Sequence, residues 1–214
     1  MNFDKFLISI SKIKNIPLPA QASQFKMSPP FRLELLELFK EPLKNAKRAG
    51  VLALFYPDEM NRTKLVLILR NTYKGVHSAQ IGFPGGKFET QDVSLKETAI
   101  RETFEEIGVP TQHIEVIKQL TEVYIPPSNF YVQPFIGISR VTPNFIRQES
   151  EVEDILEVPL VQFLKHESVV KKSVSTSYNV EVEVPAFKLN GHIVWGATAM
   201  MLSEIKDLLY KVLE

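Results

Sequence analysis

The chain of 214 residues contains no cysteine and has no excess of either charge, with 25 Lys and Arg against 25 Asp and Glu. The first absence excludes disulfides, thiolate metal ligands and thiol catalysis, so carboxylates are the natural metal ligands. The second leaves no overall field to recruit nucleic acid or anionic lipid. No apolar run reaches the roughly 18 residues typical of a membrane-spanning helix. We therefore expect a cytoplasmic, soluble protein that binds neither nucleic acid nor a membrane.

No Gly/Ser linker or low-complexity run divides the chain, which favours one domain with an extension. Helical periodicity predicts helices from Phe3 to Ile13 and from Phe31 to Phe39. We assign residues 1–45 to an N-terminal helical extension and residues 46–214 to the main domain.

Short apolar runs rich in β-branched residues predict strands in the main domain. A hairpin turn is expected at Asn190-Gly191, and a helix from Thr198 to Leu213. The predicted strands are Val51–Tyr56, Lys64–Arg70, Ile114–Ile125, Val132–Arg140, an alternating run at 180–184, and 188–195. Strands interrupted by helices and hairpins predict an α/β fold, a mixed sheet covered by helices on both sides.

A glycine turn followed by an acidic helix is the most informative segment. Residues 83–86 read Phe-Pro-Gly-Gly, a turn signal. An amphipathic helix is expected from Ser94 to Ile107, with Ser94 as its cap and Gly108 as its stop. At roughly 100° per residue, Glu102, Glu105 and Glu106 fall on one edge of this helix.

Three carboxylates at this spacing repel one another unless something offsets their charge. Arg101 can pair with Glu105, but one arginine does not neutralise three acids. Mg²⁺ or Mn²⁺ would, since hard cations take carboxylate oxygens and bridge to phosphates. The alternative is a solvated acidic helix face, which is common in proteins. The turn before the helix and the Arg-Glu pair inside it favour the metal site formed by Glu102, Glu105 and Glu106.

The run GGKFETQDVSLKETAIRETFEEIGV resembles the Nudix box, written G, five residues, E, seven residues, REUXEEXGU, with U aliphatic. The second half matches, except that Thr103 stands at the first U position. In the first half Asp92 replaces the early Glu, and eight residues separate it from Arg101. A one-residue insertion of this kind is similar to the coenzyme A pyrophosphatase branch of the Nudix family. No role is assigned to Asp92.

Two further segments resemble the same branch. Residues 65–86, LVLILRNTYKGVHSAQIGFPGG, are similar to its signature TxRSxxxRxxxGQIxFPGG, with Arg70 matching and Gly75 standing in place of the second arginine. Lys74, beside that position, could supply the missing charge. Residues 194–199, VWGATA, are similar to the branch's WGxTA segment. The resemblance covers roughly Ala49 to Leu202.

The resemblance implies a Nudix-type mixed sheet between helices and metal-assisted hydrolysis of coenzyme A or an acyl derivative to 3′,5′-ADP and phosphopantetheine. Arg101 would orient a metal-binding Glu, and Glu151 is the later-loop acid that completes the site or acts as base, with Glu89 as second candidate. Arg70 and Lys74 would suit the 3′-phosphate. The further substrate contacts are His77 and the exposed amides of Gly85 and Gly86.

Two other functional hypotheses stay open. The chain could be a Nudix enzyme for ADP-ribose, a dinucleotide or an oxidised nucleotide, or a catalytically silent Nudix-fold binding module. The intact acids from Glu102 to Glu106 argue against the silent module. The oligomeric state is left open, with a homodimer as the candidate.

Overall fold

The computed structural model describes residues 1–38, 45–71, 80–175 and 181–213. Lys74 and His77, both assigned to substrate binding from the sequence, lie outside the described residues. The helices are α1 (Phe3–Lys12), α2 (Ala20–Gln24), α3 (Arg32–Leu38), α4 (Leu95–Ile107), α5 (Leu160–Leu164) and α6 (Gly196–Leu213). The strands are β1 (Lys47–Pro57), β2 (Thr63–Arg70), β3 (Ile81–Gly82), β4 (Gly85–Lys87), β5 (Glu115–Gln119), β6 (Val123–Ile125), β7 (Phe130–Ile138), β8 (Val152–Pro159), β9 (Val169–Ser175), β10 (Glu181–Leu189) and β11 (His192–Val194).

A mixed sheet is built around β1. This strand pairs in parallel with β7 and antiparallel with β2 and β4. β3 and β8 pair with β2, while β5 and β6 pair with β7. A smaller antiparallel sheet has the order β11-β10-β9. None of the helices in the described ranges combines the length and hydrophobicity needed to cross a lipid bilayer.

Apolar side chains of β1 fill a core on each face of the sheet because successive side chains of a strand point to opposite faces. Leu52, Leu54 and Tyr56 pack with Ala99 and Ile107 of α4. Their neighbours Ala53 and Phe55 belong to a second, larger core, which includes buried residues of α1 and α6. The sheet is therefore covered by helices on both faces, as the sequence predicts.

The N-terminal extension packs into this larger core. Phe6 of α1 is fully buried, and its ring centroid lies 5.1 Å from that of Phe55 in β1. Farther along, Gln24 donates to the buried Glu204 of α6 at 3.1 Å, and the Nη2 of Arg32 donates to the carbonyl of Tyr124 at 2.8 Å. The division at residue 45 stays a prediction.

Two strand predictions need correction. The expected strand from Ile114 to Ile125 is two strands, β5 and β6, separated at residues 120–122. No strand is predicted between Arg140 and residue 180, but β8 begins at Val152 and pairs with β2. Its buried residues Val152, Leu156 and Val158 lie on one face at even spacing, but the exposed Asp154 interrupts the alternation that would reveal a strand.

Helix α4 begins and ends where the sequence predicts. The Ser94 hydroxyl accepts a hydrogen bond from the Glu97 amide at 3.3 Å, and Gly108 ends the helix at φ 73°. Thr103, the departure from the aliphatic pattern, is buried and donates to the Ala99 carbonyl at 2.6 Å. Its hydroxyl is thus satisfied inside the helix.

We expect Phe6→Ala to lower the free energy of unfolding by about 3–5 kcal/mol, because it leaves a cavity in the shared core. Ile8→Ala, on the same helix but 67% exposed, should change it by less than about 0.5 kcal/mol. Urea denaturation of both variants measures this. Equally small losses would mean that the extension is not part of the core that supports the sheet.

Candidate active site

The three acids of α4 are buried to different degrees. The Glu106 side chain is 1% exposed, that of Glu102 13%, and that of Glu105 50%. The cluster therefore runs from the protein interior to solvent along one edge of the helix. Burial raises the pKa of Glu102 and raises that of Glu106 from 4.5 to about 7.

The Glu106 carboxylate is held by the backbone amide of Gly85 and by the side chain of Arg70. The amide of Gly85 donates to its Oε2 at 2.7 Å, and Nη1 of Arg70 lies 3.2 Å from its Oε1. The Oε1 atom is buried and accepts no hydrogen bond of good geometry from the described residues. The arginine charge and the amide both favour ionised Glu106 and oppose the effect of burial on its pKa.

Glycine is required on the turn because backbone and carboxylate approach closely. A Cβ atom at Gly86 would lie 2.4 Å from the carboxyl carbon of Glu102. At Gly85, φ is 145° and a Cβ would lie 2.4 Å from the Gly50 carbonyl. The Phe-Pro-Gly-Gly segment therefore does more than turn the chain, since its two glycines form the short strand β4 against β1 and leave room for Glu102.

Arg101 is anchored mainly by Asp92, the residue to which the sequence assigns no role. Its Nε and Nη2 donate to the two carboxylate oxygens of Asp92 at 2.9 and 3.0 Å. Asp92 also accepts from the amide of Glu89 at 2.9 Å and the hydroxyl of Thr98 at 2.8 Å. These hydrogen bonds, led by those from Arg101, lower the pKa of Asp92. Asp92 is therefore an ionised, buried support for Arg101.

The third nitrogen of the Arg101 guanidinium, Nη1, contacts acids of α4. It lies 3.1 Å from Glu102 and 2.9 Å from Glu105. The structure thus brings the predicted orienting arginine against two of the three acids. The sequence signal for Asp92 was its place before the helix, nine residues from Arg101, which the inserted residue obscured.

Arg70 lies between the acids and a cavity. Besides contacting Glu106, its Nη2 donates to the carbonyl of Gly85 at 2.7 Å. Both the guanidinium of Arg70 and the amide of Gly85, expected to contact substrate, are engaged with protein groups in this arrangement. A phosphate contact from the Gly85 amide would require Glu106 to release it.

Glu151 and Glu89 differ in their relation to the cluster. Burial is the main cause of the raised pKa of Glu102 and Glu106, and the negative charge of Glu151, an exposed turn residue, raises both further. Glu89 is exposed on the loop after β4, where its carboxylate accepts from Gln91 at 2.9 Å. The arrangement favours Glu151 over Glu89 as the later acid.

The donor set suits a divalent metal, although the side chains do not yet converge on one point. In the described ranges, no three His, Asp or Glu side chains are arranged as a ready metal site. Arg101 contacts Glu102 and Glu105, and Arg70 contacts Glu106, so each acid has a positively charged partner in this arrangement. Hard oxygen donors and the buried Oε1 of Glu106 without a hydrogen bond fit Mg²⁺ or Mn²⁺.

A cavity of about 340 Å³ lies beside the cluster, with Arg70, Gly85 and Gly86 in its lining. Trp195, from the second resembling segment, also lines it. Thr198, three residues on, donates to the carbonyl of Ile81 in β3 at 3.0 Å. This contact joins the two sequence segments that lie outside the acidic helix, so both meet at the same cavity.

Comparison with known proteins gives a consistent result. The NUDIX domain family matches residues 46–176. The chain is 31% identical over 141 residues, 66% of its length and 71% of the relative's, to the uncharacterized Nudix hydrolase NudL of Yersinia enterocolitica. It is 29% identical over 171 residues, 78% of its length and 71% of the relative's, to the peroxisomal coenzyme A diphosphatase ndx-8 of Caenorhabditis elegans. The crystal structure of the Nudix hydrolase RenU from M. smegmatis matches with a TM-score of 0.54 at 13% identity, covering 78% of this chain and 88% of that one, which supports the fold alone.

The pKa of Glu106 predicts a pH dependence in metal-free protein. A carboxyl with a folded pKa near 7 and an unfolded value of 4.5 contributes stability below pH 4.5 that is lost as pH rises to 7. At about 1.4 kcal/mol per pH unit, the loss is on the order of 3 kcal/mol. Denaturation in EDTA from pH 4.5 to 8 should show this decline in wild type and a clearly smaller one in Glu106→Gln, where Glu102 still has a raised pKa. Parallel pH curves for the two proteins would refute the assignment.

We expect Asp92→Asn to lower the free energy of unfolding by about 3 kcal/mol, because it leaves the Arg101 guanidinium without its buried counter-charge. Glu105→Gln removes an exposed partner of the same arginine and should cost at most about 1 kcal/mol. Chemical denaturation compares the pair at one pH. Equal costs would show that Asp92 does not anchor Arg101.

Proposed function

Because this chain belongs to the Nudix hydrolase family, we propose that it hydrolyses the diphosphate bond of coenzyme A or an acyl-coenzyme A. The products are 3′,5′-ADP and phosphopantetheine or its acyl form. Membership of the family makes the chain a diphosphatase, and the coenzyme A substrate is the proposed part. A cytoplasmic location and a homodimer remain predictions.

The acids of α4 carry the chemistry in this proposal. Glu102, Glu105 and Glu106 would hold Mg²⁺ or Mn²⁺. When bound, the cation neutralises phosphate oxygens and makes a coordinated water more acidic. The graded burial of the acids matters, because Glu106 is held rigidly from the interior while Glu105 reaches solvent.

The arginines position the acids in this proposal. Arg101, fixed by Asp92, restricts Glu102 and Glu105 to one side of the helix. Arg70 neutralises Glu106 in the absence of another cation and lines the cavity. A diphosphate at the acid end of the cavity would give Arg70 a second anionic partner, and a guanidinium can bind a phosphate group through two parallel hydrogen bonds.

Proton transfer is assigned to Glu151. In hydrolysis the water oxygen bonds to phosphorus, the bridging P–O bond breaks, and the proton lost by water passes to a carboxylate. Glu151 is exposed, lies in the turn before β8, and acts electrostatically on both Glu102 and Glu106. These properties suit a base that exchanges its proton with solvent.

The substrate assignment rests on one observation above others. Two segments similar to the coenzyme A branch line one cavity next to the acids: the described part of 65–86, including Arg70 and Gly86, and the VWGATA segment, including Trp195. A relative that shares 29% identity over most of this chain is named a coenzyme A diphosphatase. A silent binding module would have no need of the buried Glu106 and its two partners.

Product analysis tests the substrate. Coenzyme A, acetyl-coenzyme A, ADP-ribose, a dinucleoside polyphosphate and an oxidised nucleotide are each incubated with Mg²⁺ or Mn²⁺ in ¹⁸O water. We expect 3′,5′-ADP from the first two, label in one phosphate-bearing product, and an intact thioester. Preferential cleavage of ADP-ribose, or release of coenzyme A from acetyl-coenzyme A with its diphosphate uncut, would overturn the proposal.

Glu151→Gln should lower kcat by about 10²-fold or more if the carboxylate accepts the proton. Glu149→Gln is the matched control, because Glu149 is an exposed acid of the same segment whose backbone carbonyl, not its side chain, accepts from Asn71. It should retain kcat within about threefold. Steady-state kinetics across pH measure both variants. Near-wild-type turnover in Glu151→Gln would transfer the role to another acid.

A further inference from the structure

The N-terminal extension forms one wall of the cavity beside the acids. Phe31, Arg32 and Leu35, at the start of α3, line it together with Arg70 and Gly86. No sequence feature of the first 40 or so residues predicted a part in the site. Since the cavity borders both the extension and the acid cluster, a substrate held by the acids can reach α3.

The cavity is largely apolar. Aliphatic side chains line it on several sides, among them Leu35, Val51, Ile81 and Met201, and Trp195 adds an aromatic surface. A volume of about 340 Å³ lies within the usual range of pockets for small organic ligands. The cations Arg70 and Lys87 also line the cavity, at the Gly85–Gly86 end beside the acids. The apolar part away from them favours an uncharged, flexible group over a phosphorylated one, because burying a charge in apolar surroundings is costly.

Arg32 adds one polar group to this apolar wall. Its Nη2 donates to the Tyr124 carbonyl, while its Nε is buried and has no hydrogen-bond partner among the described residues. Burial also lowers the pKa of the guanidinium. A buried donor without a partner is unfavourable, and a ligand carbonyl would satisfy it.

We propose that this cavity binds the pantetheine arm of the substrate, so that α3 of the extension is part of the substrate site. The arm carries geminal methyl groups, short aliphatic links and two amide carbonyls, which match an apolar cavity with a buried donor. The other half, 3′,5′-ADP, is multiply charged and remains outside it. This inference rests on the proposed hydrolysis of coenzyme A and adds which half of the substrate enters the cavity.

Binding of each half of coenzyme A can be measured separately by tryptophan fluorescence. Trp195, which lines the cavity, is the one tryptophan of the chain. Its fluorescence is titrated with 4′-phosphopantetheine, with octanoyl-4′-phosphopantetheine and with 3′,5′-ADP, without turnover. We expect both pantetheine compounds to shift the emission and 3′,5′-ADP to leave it unchanged. A shift with 3′,5′-ADP alone, or with none of the three at millimolar concentration, would overturn the proposal.

Two leucines of α3 supply matched variants. Leu35→Gln, in the cavity wall, should weaken phosphopantetheine binding about tenfold and leave 3′,5′-ADP binding, measured by calorimetry, unchanged. Leu33→Gln, at a position 67% exposed on the same helix, should change neither. Equal losses in both variants would contradict a wall formed by α3.

The same experiments distinguish failure of the proposed function from failure of the cavity assignment. If coenzyme A is not hydrolysed but phosphopantetheine still shifts Trp195 emission in a Leu35-dependent way, the substrate proposal fails and the cavity assignment stands. If coenzyme A is hydrolysed and Leu35→Gln raises KM no more than Leu33→Gln does, the cavity assignment fails alone.

Discussion

Glu106 is a buried carboxylate held at one oxygen by the Gly85 amide and approached at the other by Arg70. Much of the site depends on this arrangement. It ties α4 to the glycine segment and fixes where Arg70 can lie. It also offsets part of the effect of burial, which alone would raise the pKa of Glu106 further. The repulsion among the three carboxylates is offset by two guanidinium groups, those of Arg70 and Arg101, and not by one.

Each of those arginines has its own support. Arg101 is held by the buried Asp92, which leaves its Nη1 to contact Glu102 and Glu105. Arg70 comes from the end of β2 and crosses to the turn between β3 and β4. The acids are thus fixed from the loop before α4 on one side and from the sheet on the other. In the proposed function, this support from both sides would position the oxygen donors for a cation and a diphosphate.

The features that the sequence predicts correctly are those set by residues close together in the chain. Helix α4, its serine cap, its glycine stop and the hairpin at Asn190-Gly191 are set by residues close in sequence, and the structure has them where expected. The partners of Arg70 and the role of Asp92 depend on contacts between separate elements, which periodicity does not report. β8 escaped prediction because its acids, with Asp154 on the otherwise buried face, hide the alternation of a strand. The extension's place at the cavity also depends on tertiary packing.

Metal-linked stability is the most direct test of the central claim, that the acids of α4 form the cation site. A ligand at 100 times its Kd adds about 2.7 kcal/mol to the folded state. We predict that Mn²⁺ raises the Tm of the wild-type protein progressively and that Glu102→Gln abolishes the rise. A Tm that does not respond to Mn²⁺, or one that rises equally in wild type and Glu102→Gln, would contradict the account.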